Sequence, residues 1–162
     1  MLKALFVVVA AGIAVGLAWP SGRSSEPTAP IVATAAAEGR EDEPKETVLE
    51  RSDGGHFYAD VEVNGELVHF LVDTGATGVA LTEQDAERVG LDFDPGGYEQ
   101  VGIGASGPVR GKFVTLDKVS LDGKAARKVE GAILEGSDIS LLGQNYLGRF
   151  SIEMRGDTMR IY

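Results

Sequence analysis

Between residues 48 and 162 the chain consists of short runs in which apolar and polar residues alternate, separated by glycine, asparagine and aspartate. A period of two is the pattern of a half-buried strand, and many such runs in succession predict an all-β sandwich or barrel. The clearest run covers residues 56–63, and Asn64-Gly65, a sequence suited to a type I′ turn, returns it as a second strand over 66–72. Further strands are expected near 98–103, 109–115, 119–121, 128–134, 150–154 and 159–162, with turns at Asp122-Gly123 and Arg155-Gly156-Asp157. One stretch has helical character, 82–89, opened by Thr82 with Asp85 three residues on and stopped by Gly90. Its charged residues Glu83, Asp85, Glu87 and Arg88 read as a solvated face.

The pattern is different ahead of this domain. Residues 4–19 carry no charge, follow Lys3 and end at Pro20, so 1–19 is expected to be an N-terminal transmembrane anchor, with a signal peptide as the alternative. Lys3 and the amino terminus hold the near side in the cytoplasm. In a bacterial envelope this gives a single-pass protein of the inner membrane with its domain in the periplasm. Residues 20–47 are rich in Ala, Ser, Pro and Glu with few large apolar groups, the composition of a flexible linker. Such a coil spans roughly 30 Å, enough for neighbouring anchored copies to meet. Residues 48–162 remain as one domain.

Charge and composition narrow the chemistry. The 25 acidic residues outnumber the 15 basic ones, and a net charge of -10 would repel nucleic acid, so no nucleic-acid partner is expected. With no cysteine there is no thiol catalysis, and two histidines, His56 and His69, do not make a zinc ligand set. Both histidines read as polar strand positions; no metal and no cofactor are expected.

One segment stands out. Phe70-Leu71-Val72-Asp73-Thr74-Gly75-Ala76 sets a carboxylate at the end of an apolar strand, beside a hydroxyl and a glycine that permits a tight turn. The bland reading is a strand-to-turn junction. The chemical reading is half of a two-carboxylate site, which a second copy of the chain would complete. Two such carboxylates a few ångströms apart cannot ionise independently, and they share a proton. The ionised one acts as general base on a water held between them while the protonated one assists the carbonyl under attack.

Together with Ser140-Leu141-Leu142-Gly143-Gln144-Asn145-Tyr146-Leu147, this segment resembles the retropepsin family of aspartic proteases, and especially its single-domain bacterial members with an N-terminal membrane segment. The likeness covers about 54–162. It implies an all-β, retropepsin-like acid protease barrel with one short helix plus a helical turn, acting as a homodimer. It also implies an aspartic endopeptidase with Asp73 catalytic. Thr74, Gly75 and Ala76 would support the site, Thr74 through hydrogen bonds across the dimer, and Leu141, Leu142 and Gly143 would lie behind the catalytic loop in a ψ-shaped crossing. The glycine-spaced hairpin 101–109 falls where the family carries its flap, so Gly104, Ala105, Ser106 and Gly107 are expected to cover a peptide or protein substrate bound as an added strand. Gln144 and Pro108 depart from the pattern of many viral members. Two competing readings keep the fold without the reaction: a catalytically silent peptide-binding envelope module, and a structural envelope protein in which Asp73 serves only a turn.

Overall fold

The computed structural model describes residues 43–104 and 107–162. The expected anchor and most of the expected linker lie outside the described residues, as do Ala105 and Ser106 at the hairpin tip. Among the described residues no helix is long and apolar enough to cross a membrane.

Ten strands build the domain: β1 (Thr47–Glu50), β2 (Tyr58–Val63), β3 (Glu66–Val72), β4 (Val79–Leu81), β5 (Glu99–Gly104), β6 (Gly107–Leu121), β7 (Lys124–Leu134), β8 (Ser140–Leu142), β9 (Ile152–Arg155) and β10 (Thr158–Ile161). Two short helices, α1 (Glu83–Arg88) and α2 (Gln144–Leu147), and one 3-10 turn (Pro95–Gly97) accompany them. A seven-stranded sheet runs β2-β3-β8-β4-β7-β6-β5, and a further pairing of β2 with β6, at Glu62 with Ser120 and Val63 with Val119, closes it into a barrel. Closure removes most of the open edge that a sheet of this size would otherwise present. Strands β1, β10 and β9 form a separate three-stranded sheet.

The expected hairpins are present. Asn64 and Gly65 take positive φ, 51° and 96°, as a type I′ turn requires, and β2 pairs with β3 in one register from Tyr58–Leu71 to Val63–Glu66. Asp122 and Gly123 likewise have φ of 48° and 78° and join β6 to β7. The two strands expected at 109–115 and 119–121 are one continuous strand, β6, and its partner β7 starts at Lys124, not near 128. The pairing runs from Gly111–Leu134 to Leu121–Lys124 with a break at Asp117 opposite Lys128, whose φ is 50°, so the buried face shifts from Leu116 to Val119 and the polar residues between them mark an irregularity within one long hairpin. Strands β1 and β4 were not expected from the pattern; Val79, Ala80 and Leu81 are all buried, so β4 has no alternation to read.

The core lies inside the barrel, around Val61, Phe70, Leu81, Leu116, Ile133 and Leu142, each essentially inaccessible to solvent. Tyr146 of α2 is buried with them and stacks at a tilt on Phe150. Its hydroxyl accepts from Leu121 N at 3.0 Å and donates to Lys124 O at 2.5 Å, clamping the β6–β7 turn. Burial pushes the phenol up to about 12. Lys124 is also buried. Its Nζ donates to Lys45 O and Thr47 Oγ1, while Thr47 Oγ1 donates to Asp122 Oδ2 at 2.6 Å, so the start of β1 is fastened to the same turn.

Helix α1 differs from the solvated face expected of it. Thr82 caps it, accepting from Asp85 N at 3.0 Å, but the Asp85 side chain is only 13% exposed. It accepts from Ser140 Oγ at 2.6 Å, and Ser140 Oγ in turn accepts from Thr82 N at 3.0 Å. The tertiary contact with β8 recruits this carboxylate as a tie, which helix periodicity alone did not reveal.

Candidate active site

Strand β3 ends at Val72 and delivers Asp73 into the loop that leads to β4. It runs parallel to β8, with Phe70 opposite Ser140, Leu71 opposite Leu141 and Val72 opposite Leu142, and β4 crosses back antiparallel at Ala80 and Leu141. The loop 73–78 therefore connects two strands, β3 and β4, that both pair with β8, the ψ-shaped crossing expected of this segment. Asp73 N donates to Leu142 O at 3.1 Å, which fixes the loop's entry.

The half-buried carboxylate of Asp73 is oriented by its own loop. Gly75 N donates to Oδ1 at 2.8 Å and Ala76 N at 3.2 Å. Both bonds fall on one oxygen, so Oδ2 stays available to a bound water or a second acid. A Cβ at Gly75 would lie 3.3 Å from Asp73 Oδ1, close enough that the carboxylate would have to shift by a few tenths of an ångström. Thr74 is exposed beside it.

Behind the loop, α2 meets it backbone to backbone. Gln144 N donates to Ala76 O at 2.9 Å and Asn145 N to Thr77 O at 3.0 Å. This approach is possible only because residue 143 is glycine: a Cβ would lie 2.2 Å from Gly78 O and 2.9 Å from Ala76 O. Leu142 and Gly143 are buried and Leu141 is half-buried facing the groove.

Two residues that the sequence reading did not assign to the site take part in this support. Gln144 Nε2 donates to Thr74 O at 3.0 Å. Asn145 accepts from Val79 N at 3.1 Å and donates to Glu130 O at 2.5 Å, tying the start of β4 to β7. Their position directly after the Leu-Leu-Gly triplet was the available signal.

The result is an open groove of about 1020 Å³. Asp73, Gly75, Ala76 and Leu141 line its floor, the β5 residues Val101 to Gly104 overhang it, and Phe113, Ala132 and Leu134 form a wall. The overhang is the outer end of the β5–β6 hairpin, where Gly104 pairs with Gly107 and Ile103 with Pro108. Gly107 has φ of 115°, a conformation that a side chain would strain. Gly104 and Gly107 flank the tip of this hairpin; Ala105 and Ser106 lie outside the described residues.

The histidines are away from this groove. His69 sits on β3, exposed, with Nδ1 2.7 Å from Asp60 Oδ1 and its ring stacked on Tyr58. His56 is exposed in the loop before β2, which starts at Tyr58, and so is not the strand position expected of it. Among the described residues no three His, Asp or Glu side chains are grouped as a metal site would need.

Comparison with known proteins bears on this arrangement directly. The crystal structure of a retropepsin-like aspartic protease from Rickettsia conorii superposes with a TM-score of 0.61 at 33% identity, covering 72% of this chain and 89% of that one. An uncharacterized protein of Rickettsia prowazekii (strain Madrid E) is 37% identical over 106 residues, 65% of this chain and 46% of that protein. An uncharacterized protein from the cobV 5′ region of a Sinorhizobium species is 35% identical over 121 residues, 72% of this chain and 52% of the relative. The chain spans about half the length of the curated relatives it matches. The model of the family described as "gag-polyprotein putative aspartyl protease" matches residues 59–149, which take in the Asp73 loop, the glycine-spaced hairpin and the Leu141–Gly143 support. By that match over more than half its length, the chain belongs to the gag-polyprotein aspartyl protease family, and its barrel is the retropepsin-like fold.

Proposed function

We propose that the protein is an aspartic endopeptidase whose active site forms between two copies of the chain, each contributing Asp73. The observation that carries the reading is the state of Asp73 itself. Its carboxylate is steered by two backbone N–H groups on Oδ1, the residue lines an open groove, and it stands on a loop braced by a glycine-backed helix. The bonds onto Oδ1 are those of an Asx turn, which an ordinary turn residue also makes; the groove in front of the loop and the glycine-backed support behind it are what set this aspartate apart.

In the dimer the two carboxylates hold one proton between them, because two negative charges at that separation are mutually destabilising. The ionised partner removes a proton from the water lying between them, the water attacks the peptide carbonyl, and the protonated partner donates to the developing oxyanion. Collapse of the tetrahedral adduct expels the amine, which takes up a proton, and the dyad returns to its shared-proton state. Thr74, exposed next to Asp73, bonds across the two-fold axis, and Gly75 and Ala76 hold the carboxylate plane. The substrate enters as an extended strand under the β5–β6 hairpin, with backbone hydrogen bonds supplying affinity and alternate side chains entering the groove. The apolar run over 4–19 anchors this domain to the bacterial inner membrane, facing the periplasm, on the linker that follows it.

The test compares full-length wild type with Asp73→Asn, in detergent, against a mixed peptide library between about pH 4 and 7, with products read by mass spectrometry. Cleavage by wild type alone is expected, together with a dimer in sedimentation. Silence from a wild-type dimer would overturn the enzyme reading in favour of peptide binding without hydrolysis.

A further inference from the structure

The β6–β7 hairpin turns one face toward the groove. Phe113 pairs with Ala132, Thr115 with Glu130 and Gly111 with Leu134, and because side chains alternate along a strand, Phe113, Thr115, Glu130, Ala132 and Leu134 share a side. All five line the groove with Asp73. The opposite side, with Leu116, Val129 and Ile133, is sealed in the core. Thus the Glu130 side chain is committed to the groove by register.

Two features of that wall call for an occupant of definite chemistry. Phe113 is 60% exposed and Ile103, across the groove on β5, is 81% exposed, so large apolar side chains stand uncovered on both sides. Among the described lining residues the charged ones are Asp73 and Glu130, both negative. The neighbouring acid on the same face, Asp117, is already paired with Lys128 Nζ at 2.5 Å. Glu130 uses only its backbone, whose carbonyl accepts from Asn145 Nδ2; its carboxylate has no hydrogen-bond or ion-pair partner among the described residues.

We infer that Glu130 is a specificity-determining residue, and that the groove takes extended peptides combining large apolar side chains with a lysine or arginine that meets the Glu130 carboxylate. The apolar side chains cover Ile103 and Phe113. The cation supplies the missing counter-charge in a groove with no basic lining among the described residues, and the chain's net charge of -10 favours its approach. Binding is determined by the complement, since a glutamate in the same peptide position would face an unrelieved like charge. Asn145 holds the Glu130 backbone to β4 and so keeps this carboxylate at a set distance from the Asp73 loop. The inference rests on the groove being the peptidase site proposed above.

The test uses full-length Asp73→Asn in detergent, in which the amide oxygen still accepts from Gly75 and Ala76 while hydrolysis is blocked. Fluorescent apolar peptides of one parent sequence, scanned with Lys, Gln or Glu at each position, are titrated by anisotropy. Lys at a defined position is expected to tighten Kd over Gln by roughly three- to tenfold, with Glu weaker than Gln and the preference shrinking at high salt. Adding Glu130→Gln should erase the preference, and Glu130→Lys should invert it toward Glu. Equal binding of the three series, or a Lys preference that survives Glu130→Gln, overturns the inference while leaving the enzyme reading intact if wild type cleaves. Absence of both binding and cleavage overturns the two together.

Discussion

Gly143→Ala tests the construction of the site most directly. Gly143 has φ of -101° and ψ of -175°, a backbone conformation open to any residue, so the cost of a side chain there is steric and not conformational. The added Cβ would sit 2.2 Å from Gly78 O, 2.6 Å from Gly78 C and 2.9 Å from Ala76 O, all backbone atoms that no rotamer change can clear. Relief requires the 76–78 loop and the start of α2 to separate by about 1 Å. The bonds Gln144 N to Ala76 O, 2.9 Å, and Asn145 N to Thr77 O, 3.0 Å, stretch past useful length with that shift. At about 1 kcal/mol net for each bond, with about 1–3 kcal/mol of overpacking strain, the variant should lose about 3–5 kcal/mol. That is a large part of the about 5–15 kcal/mol typical of a whole domain. Urea unfolding at constant slope measures it, beside Gly97→Ala, where a Cβ meets nothing within 4 Å and less than about 1 kcal/mol of change is expected. Peptide cleavage by the folded fraction should also fall, since the same shift moves the loop that aims Asp73. A Gly143→Ala protein within about 1 kcal/mol of wild type and fully active would refute the close-packed account of this crossing.

Other variants probe separate parts of the support. Tyr146→Phe strands Leu121 N and Lys124 O in the core and should cost about 1–3 kcal/mol in the same unfolding assay, with little direct effect on cleavage per folded molecule. The Tyr146 phenol ionises from an ordinary value of 10.0 when unfolded and about 12 when folded, so its contribution is intact below about pH 10 and is lost as pH rises toward 12. The absorbance difference between wild type and Tyr146→Phe, followed in alkali, should show that late ionisation; a midpoint near 10 in the folded protein would contradict the buried clamp. Asn145→Ala removes the tie between Val79 and Glu130 and should cost about 1–2 kcal/mol, loosen the groove wall and lower the charge preference of peptide binding without abolishing hydrolysis.

Much of this protein was legible along the chain because it depends on local chemistry. The type I′ turns at Asn64-Gly65 and Asp122-Gly123 are properties of the residues that occupy them, and alternation determines which side of β2 and β3 is buried. The Asp73-Thr74-Gly75 and Leu141-Leu142-Gly143 segments were likewise recognisable as residue types in order. Tertiary structure decided what contact alone can decide. Strand β4 is buried on both faces and carries no period of its own, so only its place between β7 and β8 makes it a strand. Asp85 lies on an outwardly polar helix, yet Ser140, 55 residues away, draws it inward. Gln144, Asn145 and Glu130 gain their roles from a loop and a strand that meet α2 only after the barrel closes. Local sequence chooses conformation and face within a few residues; which carboxylate is braced, which is tied and which is left open to the groove depends on distances between segments that are remote in the chain.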